Sequence, residues 1–205
     1  MIIREALRAD LDTIVALLVD DVLGKNRDYP AVDDQYEVAF AANTNTLWYY
    51  TPTNAGKRNT GLLVELYTSP SIAATGEIAF QGGANSHLWL YNPSTGGSRD
   101  TGLGMDPNTS PAIVSLTGGG YEIAFQSNIN ILWLNNPSTG KSINTGLGMD
   151  DLSSPAITAT SGGSYEVAFA ANTNTLWYYT PTNAGNRNLG LGMNIFSSPA
   201  LRPGG

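Results

Sequence analysis

Residues 36–59 read YEVAFAANTNTLWYYTPTNAGKRN and return at 165–188 as YEVAFAANTNTLWYYTPTNAGNRN, with Lys57 against Asn186 the one change. Two more diverged copies lie between them. A unit this short cannot bury its apolar face alone and must stack on its neighbours. The repeat therefore points to a modular all-β ring or solenoid, carrying several similar sites rather than one active site.

The spacing defines the unit. Trp48, Trp89, Trp133 and Trp177 are separated by 41, 44 and 44 residues. Ser69-Pro70, Ser110-Pro111, Ser154-Pro155 and Ser198-Pro199 keep the same intervals. About 44 residues is the length of one four-stranded propeller blade. In the unit starting at Ser110, strands are expected over Ser110–Ser115, Tyr121–Phe125 and Ile131–Leu134, with a weaker fourth from Ile143 to Leu147. The fold class is thus all-β, a β-propeller of about four four-stranded blades per chain, preceded by a short β-α segment. The array is permuted. Its first unit opens at Tyr36 without the Ser-Pro strand, and Ser198-Pro199-Ala200-Leu201 is that strand with no unit after it. Such a strand completes the first blade, either within one chain or in a second copy by strand exchange, and removes an exposed sheet edge.

Composition agrees with many short strands and tight turns, since only 13% of residues are charged while Gly (23) and Pro (11) are plentiful. The net charge of −7, without a Lys/Arg run, argues against nucleic acid and anionic membranes as partners. The absence of Cys removes disulfides and thiolate metal sites. No apolar run reaches the roughly 20 residues of a membrane span. No secretory signal is visible at Met1, which points to the cytoplasm unless another export route operates.

Residues 1–34 differ from the rest. Met1 to Ala6 suits a short strand, and Asp10 suits the N-cap of a helix running through Leu11, Ile14, Val15, Leu18 and Val22 to Gly24. A polar linker follows. Ile2-Ile3-Arg4-Glu5-Ala6 with Ala9-Asp10-Leu11 resembles the opening strand–helix unit of GNAT-type acetyltransferases over about 25 residues. That family binds acetyl-CoA at a later Gly-rich turn, and no such turn follows Asp34 in a strand–helix context. The segment reads as a truncated remnant or cap.

Nothing in the array suggests catalysis. His87 is the one histidine and has no counterpart among Thr46, Ile131 and Thr175, so it reads as a solvated surface residue. Asp106, Asp150 and Asp151 are too few oxygens for Ca²⁺, and no cofactor or metal is implied. Glu37, Glu77, Glu122 and Glu166 recur in Glu-(Val/Ile)-Ala-Phe and read as partly buried acceptors for backbone N–H groups or for Arg58, Arg99 and Arg187. The four Trp residues have two readings, as core or as planes at blade junctions. Tyr49 and Tyr178 add planes with polar tips. Asn43, Asn128 and Asn172, with Asn45, Asn130 and Asn174, place amides just before the Trp strand in three of the four units. Asn45, Asn130 and Asn174 are the candidate ligand contacts among them. Aromatic planes beside amides suit sugars, whose C–H faces stack and whose hydroxyls hydrogen-bond. Gly102-Leu103-Gly104-Met105 and its copies at 146–149 and 190–193 follow the last strand as candidate seams. The first unit has Leu62-Leu63-Val64 there instead, so one pocket departs from the rest.

Residues 35–205 resemble bacterial propeller lectins, and more loosely the tachylectin-like and tectonin-like repeats. The resemblance rests on Ser-Pro-Ala/Ser-Ile, Glu-Ile/Val-Ala-Phe, Asn-x-x-Leu-Trp and Thr-Gly-Leu-Gly-Met. It implies a non-catalytic, multivalent protein binding glycans or monosaccharides between blades. The alternative is a structural or protein-interaction scaffold, in a designed or recently amplified array.

Overall fold

A computed structural model describes residues 37–51, 56–181, 185–194 and 196–202. The chain divides into two compact units, Met1–Gln35 and Tyr36–Gly205. The strand, helix, linker and GNAT-like start expected over 1–34 lie outside the described residues, and the account below concerns the second unit.

Four antiparallel sheets follow one another along the chain. The first holds β1 (Val38–Ala41), β2 (Thr46–Thr51) and β3 (Gly56–Leu63). The second holds β4 (Ser71–Ile72), β5 (Ile78–Gln81), β6 (His87–Asn92) and β7 (Gly97–Gly104). The third is β8 (Ala112–Ser115), β9 (Tyr121–Gln126), β10 (Ile131–Asn136) and β11 (Lys141–Gly148). The fourth is β12 (Ala156–Ala159), β13 (Tyr165–Ala171), β14 (Thr175–Tyr179) and β15 (Asn186–Gly192). Each is a meander in sequence order. No helix among the described residues is long and apolar enough to cross a membrane.

Two boundaries differ from the sequence expectation. The inner strand starts at Ala112 rather than Ser110, because Pro111 has no N–H for a ladder and the Ser110 amide donates sideways to Ser154 Oγ at 2.8 Å. The outer strand, expected to be weak, is eight residues long in β3, β7 and β11. The glycines of Gly-Leu-Gly sit inside that strand rather than after it. Gly61, Gly102, Gly146 and Gly190 take φ of +70° to +75°, conformations that cost other residues strain. The side chains of Asn59, Asp100, Asn144 and Asn188 accept the amides of these glycines at 2.8–2.9 Å. Opposite them the register slips at every Trp, between Thr46/Trp48, His87/Trp89, Ile131/Trp133 and Thr175/Trp177. This bulge bends the outer strand and aims its end at the next sheet. Single bridges then join the sheets at Val64–Gly82, Met105–Ser127 and Met149–Ala171.

The core lies between sheets, not within them. Leu47, Tyr49 and Val64 of the first sheet meet Ile78, Phe80 and Tyr91 of the second. Leu88, Leu90 and Met105 meet Ile113, Ile123 and Phe125 of the third. Leu132, Leu134 and Met149 meet Tyr165, Val167 and Phe169 of the fourth. Alternation along β2, β6, β10 and β14 sends Leu to one junction and Trp to the other.

The two ends are different. Phe80, Phe125 and Phe169 are 0–1% exposed, whereas Phe40 at the same position is 37% exposed. β15 is exposed along its whole length. The first sheet has three strands, and Ser198-Pro199-Ala200-Leu201 forms no strand. Closure of that sheet by this segment is not among the described pairings.

Candidate functional site

Each Trp sits on a bulged strand, directly across from a Phe of the neighbouring strand in the same sheet. Phe40–Trp48, Phe80–Trp89, Phe125–Trp133 and Phe169–Trp177 have ring centroids 6.3–6.5 Å apart. Each Trp is half-buried beside its Phe. Trp89, Trp133 and Trp177 pack against the preceding sheet, and Trp48 has no such sheet before it among the described residues. Trp is therefore both packing and wall, and the two sequence readings merge.

Between the second and third sheets this arrangement leaves a cleft of about 200 Å³. Trp133 and Phe125 form one side, Gly102, Leu103 and Gly104 the other, and Ser127, Asn128 and Ile129 the rim. The close approach depends on glycine. A Cβ at Gly104 would stand 2.8 Å from Asn128 Nδ2, and one at Gly148 only 2.4 Å from Asn172 Nδ2. The backbone closes the same contact, with the Asn128 and Asn172 amides donating to Gly104 and Gly148 carbonyls at 3.2 Å.

The first junction exchanges these roles. Leu63 takes the place of the second glycine, and Gly83 faces it, where a Cβ would lie 2.8 Å from the Val64 carbonyl oxygen. The bulky and small partners have swapped sheets. The result is a cleft of about 190 Å³ lined by Leu62, Leu63, Phe80, Ala84, Trp89 and glycines, without an amide side chain. The departure expected in the first unit is real, and it falls in the pocket shared by the first two sheets.

The four indole N–H groups have different partners. Trp48 and Trp177 donate to Thr46 and Thr175 Oγ1, each at 3.0 Å. Trp89 donates to Asn85 Oδ1 at 3.1 Å. In the third sheet the matching residue is Ile131, which cannot accept, and Trp133 Nε1 is buried without a partner at the cleft wall. Buried donors are nearly always satisfied, and Trp133 is the one indole among the four whose N–H has no protein acceptor.

The other expected residues take different positions. Asn45, Asn130 and Asn174 adopt φ of +54° to +56°, and Ser86 takes that conformation in the second sheet. They are turn residues whose carbonyls accept the amides of Val64, Met149 and Met193. The amide lining the cleft is Asn128, two residues earlier. Tyr49 is buried against Tyr91 with centroids 5.7 Å apart, so it packs a junction. Tyr178 is half-buried on the outer side of the fourth sheet, beside Gly185, Arg187 and Leu189. Burial, with a hydrogen bond to Glu166, pushes its phenol up to about 12.

The recurrent carboxylates are structural, with Asn and Tyr as partners. Asn92 donates to Glu77 at 2.9 Å, Asn136 to Glu122 at 3.0 Å, and the Tyr178 hydroxyl bonds Glu166. Burial raises the Glu122 carboxyl above its ordinary range. His87 is partly exposed, with Nδ1 3.1 Å from Asp100 Oδ1, and Asn85 donates to Asp100 Oδ2 at 2.8 Å. Bonds from Gly102, Asn85 and His87 outweigh the upward push of burial and hold Asp100 below the usual carboxylate range.

Four successive meanders pack face to face, and a single bridge after the outer strand of each of the first three reaches the next sheet. The fold is that of a β-propeller. Solved structures agree. TolB from Acinetobacter baumannii superposes with a TM-score of 0.51 at 15% identity, over 79% of this chain and 44% of that one. An arginine-substituted variant of AofleA from Arthrobotrys oligospora gives 0.53 at 13% identity, over 82% and 58%. BBS1N, solved with ARL6DN, gives 0.50 at 12%, over 78% and 50%. The chain spans about half the length of the solved structures it matches. No protein-family model and no curated protein matches the sequence.

Proposed function

We propose that this propeller is a non-catalytic, multivalent carbohydrate-binding protein whose monosaccharide sites are the clefts between blades. The observation that carries the reading is the orphaned Trp133 N–H in the second cleft. An indole plane, a buried donor without an acceptor, and the Asn128 amide converge on a space of about 200 Å³. That is below the roughly 300–1,000 Å³ of pockets for drug-sized ligands, so it suits a single ring. A sugar supplies what the cleft lacks, namely a hydroxyl oxygen for the indole N–H and C–H groups for the aromatic face. Each site alone is weak, and repetition on one rigid body provides avidity.

Calorimetric titration with a panel of monosaccharides tests this. Binding that weakens in Trp133→Phe, which keeps a plane but deletes the donor, supports it. A folded protein that binds none of the panel at millimolar concentration rejects it.

A second reading, as a protein-interaction scaffold, draws on a different observation. One turn per blade holds Tyr67, Asn108, Leu152 or Phe196 at φ of +59° to +65°. Tyr67, Leu152 and Phe196 are exposed there, Tyr67 by 89%. These side chains do not touch the clefts. Replacing them with Ser separates the two readings, because sugar binding then survives while capture of a protein partner is lost.

A further inference from the structure

The two free ends of the array are the two halves of a contact that the chain already makes once internally. The third junction joins the outer strand of the third blade to the leading face of the fourth. There Gly148 receives Asn172, Met149 bridges Ala171, and the Asp150 amide donates to the Ala170 carbonyl at 2.9 Å. Both halves recur, and neither is paired among the described residues. The leading face of the first blade repeats Phe169-Ala170-Ala171-Asn172 as Phe40-Ala41-Ala42-Asn43, and Trp177 as Trp48. The trailing edge of the fourth blade repeats Gly146-Leu147-Gly148-Met149 as Gly190-Leu191-Gly192-Met193. A Cβ at Gly192 would meet nothing within 4 Å, whereas one at Gly148 meets Asn172.

Exposure repeats the pattern. Val38 and Phe40 are 47% and 37% exposed where their counterparts Val167 and Phe169 are fully buried. Leu191 is 59% exposed while Leu147 is half-buried. Tyr178 and Tyr50 occupy the positions of Tyr49 and Tyr91, which stack at the first junction.

The axial serines extend the argument. The Ser69 amide donates to Ser110 Oγ, Ser110 to Ser154 Oγ, and Ser154 to Ser198 Oγ, at 2.8–2.9 Å. Ser153 Oγ also donates to the Ser197 carbonyl at 3.0 Å. Ser198 therefore already stands where a further blade's inner strand begins, while β1 lacks its inner neighbour.

We propose that a second copy of this chain docks head to tail on these ends, and that the joint builds a further inter-blade pocket that one chain leaves half-made. Phe40, Asn43 and Trp48 of one copy form one wall, and Gly190, Leu191 and Gly192 of the other form the second. Residues 200 and 201 add to β1 with Ala200 opposite Ala39 and Leu201 opposite Val38, the register of Ala156–Ala168 and Ile157–Val167. Two copies so joined at both ends carry eight blades, within the range of about four to eight. The ligand class of this pocket rests on the function proposed above, but the assembly does not.

Light scattering of the full chain, without sugar, tests the assembly. The expected mass is twice 21.7 kDa. Val38→Arg and Leu191→Arg alter side chains that are exposed in one chain and buried in the joint, so each variant alone is monomeric with an unchanged β-sheet circular dichroism spectrum. An equimolar mixture of the two gives a heterodimer, since one intact leading face then meets one intact trailing edge. A monomeric wild type at micromolar concentration overturns the proposal, as does a mixture that stays monomeric while both variants are folded. Should a variant unfold, the wild-type mass decides alone. In the wild-type assembly, calorimetry counts one more sugar site per chain than in either monomeric variant. A dimer that binds no sugar overturns the proposed function and leaves the assembly standing.

Discussion

Ile131→Thr should make the protein more stable and its second cleft a poorer binding site. Thr46 and Thr175, at the same bulge position, accept their indole N–H at 3.0 Å. A Thr at 131 therefore gives Trp133 the acceptor it lacks. Leaving a buried donor unsatisfied costs about 1–3 kcal/mol. Against this stands the apolar bulk lost from a half-buried Ile, roughly two carbons at about 0.8 kcal/mol each when fully buried, and about half that sum here. Both residues are β-branched, so strand preference barely changes. The net gain is about 0–2 kcal/mol, and each kcal/mol is worth about 2–4 °C in a domain of this size. Thermal unfolding followed by circular dichroism reads the first effect. Calorimetric titration with a monosaccharide reads the second, because the new hydroxyl occupies the donor a ligand would use. A lower midpoint combined with unchanged binding would refute both the orphan status of Trp133 and its role as ligand donor.

Three further predictions concern the junctions and their carboxylates. Gly82→Ala places a Cβ 2.5 Å from Trp89 Cδ1 and Nε1. It should displace the ring, cost about 1–3 kcal/mol of overpacking, and shift the Trp emission maximum. Glu122→Gln keeps the oxygen that accepts from Asn136 while removing a charge that burial disfavours. With its folded pKa raised, Glu122 holds its proton in the native state longer than in the unfolded chain, so wild-type stability falls as pH rises from about 4.5 through that higher value. Urea titrations at several pH values should show this slope flattened in the variant. Asp100→Asn acts in the opposite direction, since the lowered Asp100 pKa supplies stability above its unfolded value that is lost as acid protonates it. The variant's unfolding midpoint should vary less with pH below about 4 than that of the wild type.

Much of the architecture was readable because spacing and chemistry repeat together. The Trp and Ser-Pro intervals mark the blades, and Glu in an otherwise apolar Val/Ile-Ala-Phe strand marks an acceptor. Its partners are Asn and Tyr side chains rather than the expected backbone N–H or Arg groups, and Glu37 is exposed. What escaped was local geometry. Asn128 and Asn130 are two residues apart in one polar turn and alike in composition. One lines the cleft, and the other is consumed by a left-handed turn. The outer strand reads as weak in the sequence because a bulge interrupts its alternation, so Asn-Thr-Gly-Leu-Gly has no period of two. The size exchange between Leu63 and Gly83 spans twenty residues and two blades, and neither residue announces the other. Nor does a sequence reveal that Trp133 lacks an acceptor until Ile131 is seen to stand where Thr46 and Thr175 do.

Because every apolar cluster lies between blades, no blade owns a core. Four blades therefore hold three internal cores, and free energy is a property of nearest-neighbour pairs, as in a one-dimensional chain of coupled spins. An excised blade has nothing to fold against. In a single chain, amide exchange should be fastest in β1 and β15, the strands of the two end blades, and the head-to-tail joint should slow it there. Such a chain grows or shortens by whole units with little disturbance to the rest.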